Sequence, residues 1–358
     1  MSYLYLDSVV KRFNQVEVVK QLTLGIKQGE LISFLGPSGC GKTTTLNMIA
    51  GFLEVDGGAI EVGGIRVHHL PPYKRNMGMV FQNYALFPHM TVFENVAFGL
   101  KLRKIPRHEI EKKVKDALAM TRLEHLEHRY PRELSGGQQQ RVAISRALVI
   151  EPTVLLLDEP LSNLDAKLRQ EMRDEITEIQ RKVGITTIFV THDQEEALAI
   201  SDRIAVMHQG KIEQLDTPQN IYNHPKTAFV AGFIGEVNEF AGKVVASTPE
   251  MAEIDIHGNV VKLPTPVQQE KNQNVSLFIR PEKMQISKTV PEGQPFMTAR
   301  LQRKIFLGSK TRFIIGLPDR HLIAEMPNSS LAHEQFTDQD EVYVYWNPQD
   351  LLVSGKGG

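Results

Sequence analysis

Residues 31–50 read LISFLGPSGCGKTTTLNMIA. Leu31 to Leu35 form a mostly apolar run without alternation, the mark of a strand covered on both faces of a parallel sheet. Gly36-Pro37-Ser38-Gly39-Cys40-Gly41-Lys42-Thr43 follows and fits the phosphate-loop pattern G-x-x-x-x-G-K-[ST]. Thr44 to Ala50 then reads as helix. The glycines let backbone N–H groups converge on phosphate oxygens, and the helix turns its positive end to the same point. Lys42 reaches terminal phosphates, and the Thr43 hydroxyl can ligate magnesium. A glycine-rich turn can arise by accident, but the strand before it and the helix after it favour the phosphate reading.

The same grammar continues outward. Short apolar strands at Met77–Phe81, Val154–Leu157 and Thr187–Val190 alternate with helical patterns, which predicts an α/β fold on a parallel sheet. Residues 1–30 alternate apolar and polar positions and predict an antiparallel hairpin. From Met90 to Ile150 the pattern is mostly helical, with Thr91/Glu94 and Ser135/Gln138 spaced as capping boxes. Ala166–Val183 is a charge-rich helix stopping at Gly184, and IAVMH with KIEQL about Gln209-Gly210 reads as a hairpin. After Gly235 the pieces GKVVAS, NVVKL, VSLFIRP, TRFIIGL and EVYVYW predict a small all-β domain. FAGKVVAS and FMTARLQR are loosely similar, a hint of internal repetition.

Composition narrows the class. The chain has 358 residues, enough for two domains, with 41 Lys plus Arg against 42 Asp plus Glu. Such a balance argues against a nucleic-acid partner, which would draw a basic excess. The single cysteine, Cys40, forms no internal disulfide and suits a reducing compartment. The opening MSYLYLDSVVKRF lacks a basic head and apolar run, so no signal peptide is expected. No apolar stretch approaches the ~20 residues that span a bilayer. Service to a membrane would require docking onto one.

Further motifs fall at strand ends, where ligands of open parallel sheets bind. In VLLLDEP the strand ends at Asp158, which can hold magnesium, and Glu159 can polarise an attacking water. Two acids at a solvated strand end are the plain alternative. Gln82 ends MGMVFQ and His192 ends TIFVTH. Leu134-Ser135-Gly136-Gly137-Gln138 opens the helix QQQRVAISRAL. It reads either as an ordinary capped start or as a second anion site.

A phosphate loop, LSGGQ and LLLDEP in that order resemble the ATPases of ABC transporters over about residues 1–235. The resemblance implies a domain with a parallel sheet core, an antiparallel β subdomain and a helical subdomain at about 88–150. It implies ATP and Mg²⁺ as ligands. Gly36 to Thr44 would cradle the phosphates, with Phe13 stacking on adenine; the alternative for Phe13 is a hairpin core residue. Thr43, Gln82 and Asp158 would meet the metal, and Lys42, Gln82, Glu159 and His192 would carry catalysis. Ser135, Gly136, Gly137 and Gln138 of a second copy would close the site, near Asp165 in the crossing loop Ser162–Asp165.

Residues 236–358, with SLFIRPE at Ser276–Glu282, resemble the OB-like TOBE domain of solute-importer ATPases. That implies two transmembrane permease subunits, an indirect periplasmic or extracellular solute-binding protein, and a peripheral place on the cytoplasmic face of the membrane. PPYKRNMGMVFQNYALFPHMTVFENVAFGL looks most like importers of polyamines, ferric iron, phosphonates or sulfate, with spermidine/putrescine favoured. A soluble ABC ATPase acting on nucleic acid or ribosomes is the distant alternative, and a braking role for the β domain a third reading.

Overall fold

A computed structural model of the chain describes residues 2–248, 250–256, 258–264, 270–317, 320–329 and 334–355. The chain divides into two compact units, Met1–Ile221 and Tyr222–Gly358. In the first, the strands β1 (Leu4–Phe13), β2 (Val16–Ile26) and β3 (Leu31–Leu35) precede α1 (Lys42–Ala50). Then come β4 (Gly57–Val62), β5 (Ile65–Arg66), β6 (Met77–Val80), α2 (Val92–Leu102), α3 (Arg107–Met120) and α4 (Gly136–Leu148). The series β7 (Val154–Asp158), α5 (Ala166–Val183), β8 (Thr186–Thr191), α6 (Gln194–Ile200), β9 (Arg203–His208) and β10 (Lys211–Asp216) completes it.

β1 and β2 form the expected hairpin, turned by Asn14 (φ 44°) and Gln15 (φ 70°). It belongs to an antiparallel sheet in the order β2-β1-β4-β5. The main sheet runs β10-β9-β3-β8-β7-β6, parallel except for its edge strand β10. Its inner strands β3, β7, β8 and β9 lack alternation because both faces are covered, whereas the edge strands β6 and β10 are only partly buried. Val154, Leu156, Ile188 and Val190 pack with α1 and the antiparallel sheet. Leu155, Leu157 and Phe189 pack with Ile144 of α4 and Met172 and Ile176 of α5. Helices α2 to α4 share a smaller core of Val92, Val96, Val114, Leu118 and Val142. Both capping boxes form, at Thr91 and at Ser135, and α5 ends on Gly184 at φ 67°. Among the described residues no helix is long and apolar enough to cross a membrane.

The second unit opens after α7 (Pro218–Asn223) begins and carries α8 (Ala228–Phe233). Its strands are β11 (Asn238–Ser247), β12 (Met251–Ile256), β13 (Asn259–Pro264), β14 (Asn274–Ile279), β15 (Gln285–Ser287), β16 (Phe296–Phe306), β17 (Lys310–Gly316), β18 (His321–Pro327), β19 (Glu341–Tyr345) and β20 (Leu352–Gly355). They form two antiparallel sheets, β13-β12-β11-β14-β20 and β15-β19-β16-β17-β18, around one core that includes Phe240, Leu277, Leu301, Phe313 and Trp346.

This unit is a duplication with an exchanged strand. β11 and β16 sit at the centre of their sheets, and the final strand of each half crosses over: β15 pairs with β19, and β20 with β14. VSLFIRPEKMQIS at 275–287 matches VYVYWNPQDLLVS at 342–354 in pattern, each turning on a proline-led single-turn helix, Pro281–Lys283 and Pro348–Asp350. FAGKVVAS and FMTARLQR lie on β11 and β16, so the faint likeness between them joins equivalent strands.

Candidate active site

The loop between β3 and α1 is built around glycines that nothing else replaces. A Cβ on Gly36 would lie 2.2 Å from the Met207 carbonyl oxygen, and one on Gly41 (φ 103°) 3.0 Å from that of Val18. Backbone can approach this closely only without side chains. Cys40 is 3% exposed and fills the inside of the turn, while Ser38 and Gly39 face outward. Burial pushes the Cys40 thiol up, and nearby Lys42 offsets this in part. Lys42 is itself buried, its Nζ donating to the carbonyl oxygens of Gly36 (2.7 Å) and Pro37 (3.1 Å). It also reaches Cys40 Sγ at 3.9 Å. A buried ammonium held by two carbonyls and a sulfur, beside N–H groups opening a helix, suits an anionic occupant.

The other strand ends converge on one carboxylate. Thr43 Oγ1 donates to Asp158 Oδ1 at 3.0 Å, joining α1 to the end of β7. Desolvation raises the Asp158 carboxyl above its ordinary range; the Thr43 bond opposes this and the Glu159 charge adds to it. Glu159 follows in the left-handed region (φ 44°), its N–H donating to Val190 of β8 at 3.0 Å. A non-glycine residue held there costs on the order of 1–3 kcal/mol and marks a geometry enforced by its surroundings. The result is that Glu159 Oε2 accepts from Gln82 Nε2 at 3.3 Å and lies 3.1 Å from His192 Nδ1. Gln82 thus meets Glu159 directly rather than Asp158.

Further residues hold this group; of these the sequence pointed only to Asn163, as part of the loop Ser162–Asp165. Asn163 donates from Nδ2 to the Gln82 carbonyl at 2.8 Å, so the loop Ser162–Asp165 steadies Gln82 within one chain. Thr191 donates to buried Glu196 at 2.6 Å, just before His192. Burial raises the Glu196 carboxyl. Arg169 reaches Asp193 (3.4 Å) and Glu196 (3.7 Å) and donates to the Leu164 carbonyl (3.0 Å). Glu159, Ser162, Arg169 and His192 border a cleft of about 40 Å³, room for a water.

Two predicted groups stand apart from this cluster. Phe13 ends β1 at the hairpin tip, 43% exposed beneath the Lys11 ammonium, so it is a ring offered to solvent and not a core residue. Ser135 and Gln138 bond each other at the start of α4, with Ser135 and Gly136 exposed. Gly137 lies against Leu168, and Asp165 caps α5 through the Leu168 N–H at 2.9 Å.

The fold and the phosphate loop define an ABC ATP-binding protein. A family model described as ABC transporter matches residues 19–162, and one described as TOBE domain matches 277–353. The chain belongs to the ABC transporter family. Its relatives include three proteins each named spermidine/putrescine import ATP-binding protein PotA. That of Trichormus variabilis is 46% identical over 353 residues, covering 97% of this chain and 92% of the relative. That of Thermobifida fusca is 46% identical over 354 residues, with the same coverage of 97% and 92%. That of Clostridioides difficile is 50% identical over 303 residues, covering 85% of each. The solved structure of cbiO1 from Clostridium perfringens, titled part of the ABC transporter complex cbiONQ, aligns with a TM-score of 0.58 and 32% identity. It covers 62% of this chain and 90% of that one.

Proposed function

We propose that the chain is the ATP-hydrolysing subunit of an ABC importer of spermidine and putrescine, working as a two-fold dimer on two permease subunits at the cytoplasmic face of the membrane. The solute assignment is supported by the relatives named above. The chemistry is carried by one observation: Glu159, held between Gln82 and His192 one residue beyond Asp158.

Phosphoryl transfer needs positioning and charge neutralisation more than covalent help. The loop amides and Lys42 receive the phosphates, Lys42 exchanging two carbonyl oxygens for phosphate oxygens. Asp158 and Thr43 present two hard oxygens 3.0 Å apart, a fit to Mg²⁺, which takes few protein ligands and keeps waters and phosphate oxygens. Bound there, the ion would neutralise phosphate charge. Glu159 accepts the proton of a water in the cleft beside it. Gln82 and His192 fix the carboxylate so that its lone pair faces that water.

At the start of α4 the Ser135 and Gln138 side chains bond within the capping box, and Ser135 and Gly136 stay exposed, which suits a surface meant for another molecule. In the dimer it closes the nucleotide of the opposite copy, with Asp165 and its loop at the seam. The Gln82 loop and the helical region 88–150 face the permease subunits, and a solute-binding protein acts from the far side without touching this chain. Glu159→Gln tests the reading. ATP affinity should hold within about threefold while turnover falls by on the order of 10²-fold or more, as expected for loss of a general base. Turnover near wild type would remove Glu159 from that role.

A further inference from the structure

Gln82 is followed by a segment that the backbone does not favour on its own. Tyr84 (φ 61°) and Ala85 (φ 46°) are consecutive non-glycine residues in the left-handed region. Each strains the chain, and such pairs persist only where neighbours impose them. The neighbour here is Arg146, in the last turn of α4. Its Nη1 donates to the Ala85 carbonyl and its Nη2 to the Tyr84 carbonyl, each at 2.7 Å. Its guanidinium lies 5.6 Å from the centre of the Phe87 ring, which packs at 4.6 Å on Phe98 of α2. Beyond the clamp, buried Asn95 bonds Phe87 at both its N–H and its carbonyl.

We propose that Arg146 is a positioning residue: its fork holds Tyr84 and Ala85 left-handed, and so sets Gln82 against Glu159. The inference rests on the ATPase reading above and adds a residue to it. A planar fork is required because two adjacent carbonyls must be bonded at once, which a single ammonium does poorly. Arg146 also lies in the 13-residue helix Gly136–Leu148 that Ser135 caps, so the start of α4 and the Gln82 loop are tied by a rigid rod about 20 Å long.

The test uses the full chain as wild type, Arg146→Ala, Arg146→Lys, Ala85→Gly and the double variant Arg146→Ala/Ala85→Gly. Amide exchange is read without nucleotide, and ATP affinity and turnover are read separately. In Arg146→Ala the Tyr84 and Ala85 amides should exchange about tenfold faster while those of α4 hold, because only the loop conformation is released. Affinity should stay within about twofold and turnover should fall about tenfold, with Arg146→Lys close behind. Glycine takes φ 46° without strain, so the double variant should recover turnover severalfold over Arg146→Ala. A role in packing α4 alone predicts the opposite: faster exchange throughout α4 and no recovery from glycine. That outcome, unchanged loop exchange, or wild-type turnover in Arg146→Ala overturns the clamp. Exchange is read without ATP, so a wild-type chain that fails to hydrolyse ATP would count against the role of Glu159 while the clamp is still judged by its exchange.

Discussion

Asp158 holds a charge where the fold would rather have none. Desolvation is the largest influence on it and raises its carboxyl above the ordinary value of 3.8. The folded state therefore binds the proton more readily than the unfolded one, and stability falls as pH rises through that window. Asp158→Asn keeps an oxygen for Thr43 and removes the charge. Its thermal midpoint at pH 7 should rise, the gain should vanish as pH falls toward 3.8, and ATP turnover should be lost. A lower midpoint at pH 7 would contradict the desolvation argument. Cys40 offers a second measurement. Its raised thiol and 3% exposure predict slow alkylation at neutral pH, faster as pH rises beyond the usual cysteine range. An adduct should block nucleotide binding, with ATP protecting; complete labelling with unchanged ATP affinity would show the loop is placed wrongly. Lys42, Thr43, Asp158 and Glu159 were legible because their chemistry is a short local pattern. Arg146, Arg169 and Glu196 were not, and Asn163 was marked only as part of the crossing loop, because what they do depends on contact across the fold. Asn163 meets Gln82 from 81 positions away, and Arg146 meets Tyr84 from 62.

Among the elements, the two capped helices separate stability from activity. Thr91 and Ser135 each accept from a backbone N–H and are answered by Glu94 and Gln138. Removing either cap should cost about 1 kcal/mol, read as a shift in denaturant midpoint. Thr91→Ala should leave turnover near wild type, whereas Ser135→Ala should lower it at least tenfold, about 1.4 kcal/mol of barrier, because only that helix start is held to serve a nucleotide. Equal turnover in the two variants would reduce Ser135 to a cap. Both boxes were visible as spacing alone, and the parallel strands were visible as unbroken apolar runs, since a sheet covered on two faces leaves no polar side. The exchange of β15 and β20 was not visible, because strand pairing between distant halves leaves no mark in local periodicity. The clearer trace, 275–287 against 342–354, shows once the pairing of β14 with β20 and of β19 with β15 is known.

Across the whole molecule, separate cores in Met1–Ile221 and Tyr222–Gly358 predict two calorimetric transitions. ATP with Mg²⁺ should raise only the one belonging to the first unit, by linkage to the state that binds it. A single transition, or one in which the second unit also shifts, would show the units to be cooperative. Neither core covers the helix start at Ser135 and Gly136, which lies open while the phosphate loop is complete on its own chain. A second copy would. The most direct measurement is ATP turnover per chain against protein concentration, run beside Ser135→Ala. Turnover should climb as chains associate and collapse in the variant at every concentration. Full-rate hydrolysis by dilute monomers, indifferent to Ser135, would contradict a site shared between two copies.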